Sequence, residues 1–210
     1  MSNAHTIRVL FLRAEKDDHW INRLVSWIDP PFCHVEIEFE CIKGQLPHSS
    51  TGGAQFTAPS TQNHAVTIAS SVFSGDTVFL RPRTFANPNY TVLSFLVNQK
   101  QFERMYKFCE FRVNTETGFD ETAMCCAMSP CLSRLCLSRS YPETQPRTFC
   151  SEHVTLTLQA GGIDAVRDAD ARHMTPSRLH KLLTSPHAKI QRCFSTVNFK
   201  MNLMEKQGII

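Results

Sequence analysis

The chain has 210 residues, 42% of them hydrophobic, which suits one globular domain with a substantial core. A net charge of +3 with 20% charged residues, and Lys and Arg scattered along the chain, leaves no electrostatic footprint for nucleic acid. Nine cysteines are an odd count in a chain too long for a disulfide miniprotein; with no signal-peptide pattern and no apolar run near the ~20 residues that span a bilayer, they point to an intracellular, cytoplasmic setting with mostly free thiols.

In chain order, Thr6 to Leu12 reads as a buried strand. The stretch DDHWINRLVSWIDPP predicts a short amphipathic helix. Trp20, Leu24, Trp27 and Ile28 fall at i, i+4, i+7 and i+8, and Pro30-Pro31 stops it. Cys33 to Cys41 carries the cleanest period-2 signal: Val35, Ile37, Phe39 and Cys41 alternate with His34, Glu36, Glu38 and Glu40. One face must be buried; the other holds a histidine and three carboxylates. A turn and loop follow, and AQFTA (54–58) can start another strand. AVTIAS and DTVFLRP read as two strands separated by Gly75, and the run suggests a meandering antiparallel sheet.

YTVLSFLV is apolar enough for a further strand. NQKQFERMYKFCEFRV predicts a helix, with Asn98 and Gln101 in capping-box relation and Phe102, Met105, Tyr106, Cys109 and Val113 on one stripe. NTETGFDET reads as a loop, and residues 123–147 as irregular, cysteine-rich and broken by prolines. TPSRLHKLL predicts a helix capped by Thr175 with Pro176 at its first position. A last strand near Lys189 to Phe194 precedes a fraying tail. The expected architecture is α+β in a single domain spanning 1–210, with its core at about 6–194.

Phe149 to Ala160 is ambiguous. Gly161-Gly162 makes a good helix stop, and Glu152 in a first turn complements the helix dipole. Val154, Thr155 and Thr157 are β-branched and alternate as a strand would. The choice matters for Cys150. In a strand it is a packed thiol; at a helix start it lies among unpaired N–H groups that favour a thiolate. A histidine would then have to take its proton, and His34 is the best placed of the nine.

CHVEIEF early in the chain and FCSEHVTLTLQAGGI late in it resemble circularly permuted members of the NlpC/P60 superfamily of papain-like cysteine hydrolases, the branch that includes lecithin:retinol acyltransferase-like proteins. In those proteins the histidine strand precedes the cysteine helix. Cys150-Ser151-Glu152 resembles the family's Cys-Ser-Glu helix start, with Ala160-Gly161-Gly162 at the close. Phe119-Asp120 resembles its aromatic-Asp turn, and MTPSRLHKLL its Thr-Pro helix. The resemblance covers roughly Thr6 to Thr184 and implies a permuted papain-like fold in which Phe149–Ala160 is a helix with the nucleophile at its N-terminus.

The resemblance also implies a thiol hydrolase, a peptidase or amidase or an acyl ester or thioester hydrolase, with Cys150 as nucleophile and His34 as general base. A third residue orients the imidazole. His48, four residues past Gly44, matches the second histidine of the acyltransferase-like relatives; Glu36, two residues from His34 on one face, competes with it, and Gln55 is a third choice. Those relatives carry Asn-Cys-Glu-His where this chain has Cys-Ser-Glu-His, a departure that bears on lipid acyl transfer. The alternatives are a lipid acyltransferase and an inert peptide- or lipid-binding module. No cofactor is implied. The expected partner is a peptide, amide or lipid acyl substrate, with no nucleic acid and no integral membrane segment, peripheral membrane contact being left open. Cys125, Cys126, Cys131 and Cys136 lack the usual zinc spacing and read better as a loop covering the active site.

Overall fold

In the computed structural model the described residues are 4–15, 20–41, 66–83, 89–128 and 146–186. Five strands form one antiparallel sheet: β1 (Ala4–Leu12), β2 (His34–Cys41), β3 (Val66–Ser71), β4 (Phe79–Pro82) and β5 (Tyr90–Asn98), in the order β4-β3-β2-β1-β5. The first four strands meander as the alternation suggests. The fifth crosses back to the far side and pairs with β1, from Ala4 opposite Asn98 to Leu12 opposite Tyr90. β2 is therefore the central strand, paired with β1 on one side and β3 on the other.

The odd-numbered residues of β1 and β2 make the core face. Ile7, Val9, Phe11, Val35, Ile37 and Phe39 are all inaccessible to solvent. Two helices lie on this face: α2 (Gln99–Asn114), then, late in the chain, α4 (Cys150–Ala160). α2 starts where the sequence places it. Asn98 accepts from the Gln101 N–H, the Gln101 side chain accepts from the Asn98 N–H, and Phe102, Met105, Tyr106 and Cys109 are buried.

Residues Cys150–Ala160 are helical, with Phe149 as the extended N-cap, and the misleading strand pattern has a physical cause. α4 is packed on nearly every side: Cys150, Ser151, His153, Val154, Thr155, Thr157 and Leu158 are all buried. A helix enclosed all round shows no amphipathic stripe. Its threonines turn their hydroxyls onto the preceding turn, Thr155 to the Ser151 carbonyl at 2.6 Å and Thr157 to the His153 carbonyl at 2.8 Å. Gly162 ends the helix at φ +71°, and Gly161 lies so close to Met105 that an added Cβ would sit 2.6 Å from its Cγ.

Two expectations fail, and one strand face is buried on its polar side. α1 (Trp20–Ile28) buries Val25, while Trp20 is 64% exposed and Trp27 81%, so the predicted apolar stripe faces outward. The polar face of β2 is enclosed as well: His34, Glu36 and Glu38 are each buried. The supposed loop and irregular segment contain β6 (Gly118–Phe119), paired in parallel with β7 (Arg147–Thr148), and between them α3 (Glu121–Met128). Asp120 caps α3, accepting from the Ala123 N–H at 2.8 Å, a short signal in a segment with little periodicity. α5 (Pro176–Thr184) begins as predicted, with Thr175 accepting from the Arg178 N–H.

His48, Gln55, the possible strand at 54–58, Cys131, Cys136 and the strand expected near Lys189 to Phe194 lie outside the described residues. Cys126 is disulfide-bonded; Cys33, Cys41, Cys109, Cys125 and Cys150 carry thiols. No helix among the described residues is long and apolar enough to cross a membrane.

Candidate active site

Cys150 is the first residue of α4. The first turn of a helix leaves its N–H groups without intrahelical acceptors, and here the Ser151 N–H reaches the sulfur, joined by the Val35 N–H from β2. Ser151 fixes this end of the helix by donating its hydroxyl to the Met174 carbonyl at 2.7 Å. Val35 follows His34, so one short piece of β2 supplies both an amide and an imidazole to the thiol.

The His34 side chain bonds Cys150 and also faces Glu36, its Nε2 lying 3.6 Å from Glu36 Oε1. The ring stacks on Phe73, centroids 4.5 Å apart, and Ser71 Oγ lies 3.4 Å from Nε2 while donating to the Val35 carbonyl. Phe73 and Ser71 both come from the end of β3 and the turn after it. The imidazole is thus held between a flat aromatic surface and a carboxylate.

Burial alone would make all three groups neutral. It pushes the Cys150 thiol up, yet the His34 charge, the hydrogen bond to His34 and the two amides outweigh it and hold the thiol below its usual range. Burial pushes His34 down, yet Cys150 and then Glu36 raise it to about 9. Burial pushes Glu36 up, yet its hydrogen bond to His34, the His34 charge, Arg83 and Tyr90 bring it to about 2. The groups support one another as a thiolate, an imidazolium and a carboxylate.

Of the residues singled out in the sequence, Cys150, His34 and Glu36 are brought together. His48 and Gln55 are not among the described residues. Glu152 faces elsewhere: it accepts from the Thr148 hydroxyl at 3.1 Å and interacts with Arg112. Periodicity missed Arg83 and Tyr90, which bind Glu36 from just after β4 and from β5. The signal for Tyr90 lay in the register. Leu12 pairs with His34 on one side and with Tyr90 on the other, so all three share a face. That register depends on β5 crossing back to β1, which local pattern does not show.

A small apolar cleft borders the sulfur, lined by Val25 of α1, Cys33, Met124 and Met128 of α3, and Phe149 and Pro176. Among the described residues no group of three or more His, Cys, Asp or Glu side chains could hold a metal ion. No protein-family model, curated protein or solved structure matches this chain.

Proposed function

We propose that this protein is a papain-like thiol hydrolase of the permuted type, acting on an amide, ester or thioester carbonyl through an acyl-enzyme. The observation that carries the reading is the Cys150–His34 pair at a helix start with Glu36 on the other side of the ring. Nε2 faces Glu36, which leaves Nδ1 as the nitrogen to take the thiol proton.

Cys150 attacks the carbonyl carbon as the thiolate. The oxyanion that forms lies at the start of α4, where the Cys150 N–H can donate to it. The His34 imidazolium gives its proton to the departing amine, alcohol or thiol. Neutral His34 then takes a proton from water, or from an acceptor alcohol or amine, which attacks the thioester and frees Cys150. Glu36 holds the ring in one orientation and supports its charge, as the third member of a triad does.

The apolar cleft beside the sulfur offers a path for the substrate, and the flexible side chains of Met124 and Met128 can shift to widen it. The order of the histidine strand and the cysteine helix, and the Thr-Pro helix after them, support the permuted arrangement. The test is acyl trapping. Incubation with a mixed pool of aryl esters, thioesters and amides should add an acyl mass to Cys150 in the native protein and none in His34→Ala. Acylation spread over several cysteines, or unchanged by that substitution, would end the proposal.

A further inference from the structure

Glu36 is 4% exposed, and a carboxylate so placed takes up a proton unless donors and cations hold its charge. Three groups do so. His34 faces Oε1, the Tyr90 hydroxyl donates to the same oxygen, and the Arg83 guanidinium binds Oε2. Both oxygens are therefore occupied by fixed partners, and the carboxylate has one orientation. The groups that shift the Cys150 thiol are His34, Val35 and Ser151, so Arg83 and Tyr90 act on it through Glu36 and His34.

We infer that Arg83 and Tyr90 are positioning residues that keep Glu36 ionised and turned toward His34, so that the charge state of Cys150 depends on a guanidinium two strands away from the imidazole. This rests on the reading of Cys150, His34 and Glu36 given above.

Arg83 follows β4, two strands from β2 in the sheet. Its guanidinium pairs with Glu38 as well as Glu36 and lies over the Tyr90 ring, 5.0 Å from the centroid. Glu38 is also buried, and burial raises its pKa; Arg83 and then Arg8 oppose the rise. Arg8, on β1, lies 3.9 Å from Glu38 and 3.1 Å from Glu40. The charged groups around Glu36 are therefore His34, with Cys150 behind it, Glu38 and Glu40 on its own strand, Arg8 on β1, Arg83 after β4 and Tyr90 on β5.

Without the Arg83 cation, two buried carboxylates share this face with the His34 ring at one end and Arg8 at the other. Burial and mutual repulsion then favour a proton on the pair. A proton on Glu36 removes the counter-charge from the imidazolium, and the pair reverts to neutral thiol and neutral ring. The effect is confined to pH values at which the carboxylates bind that proton; above them the site regains its charge.

The test is the pH profile of Cys150 alkylation by iodoacetamide, read by peptide mass, in the native chain and in Arg83→Gln, Arg83→Lys and Tyr90→Phe. Arg83→Gln should move the midpoint up by about one pH unit, about a tenfold loss of labelling on the acid side, and should converge with the native rate above about pH 8.5. Arg83→Lys should restore most of the native profile. Tyr90→Phe should move it the same way by less, because its hydroxyl also lowers Glu36.

Superposition of Arg83→Gln on the native profile overturns the inference. So does an equal slowing at every pH, which would mean structural support alone. Should circular dichroism show Arg83→Gln unfolded, Tyr90→Phe decides: an unmoved profile overturns the inference. A native Cys150 that labels as an ordinary thiol, indifferent to His34→Ala, overturns the reading of the site itself and this inference with it.

Discussion

One core holds two cysteine–histidine pairs whose proton affinities are shifted in opposite senses. Cys150 and His34 are shifted toward thiolate and imidazolium, the thiol held below its usual range by His34 and the ring raised to about 9 by Cys150 and Glu36. Cys109, on α2, lies 3.9 Å from Nε2 of His153, on α4, and both are neutral: burial lifts the Cys109 thiol to about 11, and burial with the Arg112 charge drops His153 to about 3. The pairs are alike in burial and in residue type. They differ in what else is present. His34 has Glu36 behind it, and the thiol has one amide from a helix start and one from β2. His153 has the neutral Ser70 hydroxyl at 3.0 Å and a repelling guanidinium, and its Nδ1 is buried without a hydrogen-bond partner. Cys109 is well inside α2, where the backbone amides are already used. A sulfur beside an imidazole is therefore not sufficient; the carboxylate and the free amides decide whether the proton moves.

The largest effect should come from breaking the charged pair. His34→Ala removes the imidazolium that opposes desolvation of the thiolate. Labelling of Cys150 by iodoacetamide near neutral pH should fall on the order of 100-fold, with the midpoint moving toward or above an ordinary thiol. The native protein carries a second signature at high pH. The acid role of His34 in the proposed reaction needs its proton, so acylation should decline as pH rises through about 9. A native rate that still climbs past that point would remove His34 from the leaving-group step.

The neutral pair should respond in stability and not in reactivity. His153→Ala opens a cavity inside the core and leaves the Ser70 hydroxyl without its imidazole partner, a cost of about 2 kcal/mol. The sign of its pH dependence follows from the lowered value. The unfolded chain protonates this ring near 6.5, the folded chain only near 3, so His153 weakens the fold as pH falls through that window. Urea unfolding at neutral and at mildly acid pH should show a smaller acid penalty in His153→Ala than in the native chain. The midpoint of Cys150 labelling should stay where it was. A shift in that midpoint would mean that the two pairs are coupled through α4.

Glu36→Gln sharpens the contrast by making His34 resemble His153. The amide keeps the size of the carboxylate and loses its charge. Labelling on the acid side should fall about tenfold, one pKa unit of lost support for the imidazolium. The effect should be smaller than that of His34→Ala because the ring and the two amides remain. An unchanged profile would assign the orienting role to a residue other than Glu36.

The two pairs also show how far the sequence carries. His34 and Glu36 were legible because β2 alternates without interruption, and parity puts both side chains on one face. Cys150 was legible only once Phe149–Ala160 was read as a helix, and the resemblance rather than the pattern decided that. Burial on all sides erased the periodicity. His153 drew no attention as a partner for Cys109, because the contact joins residues 44 apart through the packing of α4 on α2. Arg83 and Tyr90 were hidden for the same reason, since one reaches Glu36 from just after β4 and the other from β5. Trp20 and Trp27 failed in the opposite sense. Their spacing is helical, as expected, but spacing does not say which face of a helix meets the core, and Val25 does so instead.

The smallest effect is expected at Cys109. Its sulfur lies 3.6 Å from the Thr157 hydroxyl and 3.9 Å from His153, and both contacts are weak at sulfur distances. Cys109→Ala removes one buried atom and leaves Thr157 with its bond to the His153 carbonyl and His153 with its bond to Ser70. The loss is then that of a small cavity, about 1 kcal/mol in urea unfolding with an unchanged m-value. If Cys109 were instead a thiolate paired with an imidazolium, alanine would strand a buried charge on His153, and the cost would rise to about 3–5 kcal/mol. The size of this one difference therefore reads the charge state of the second pair directly, with no substrate and no labelling reagent.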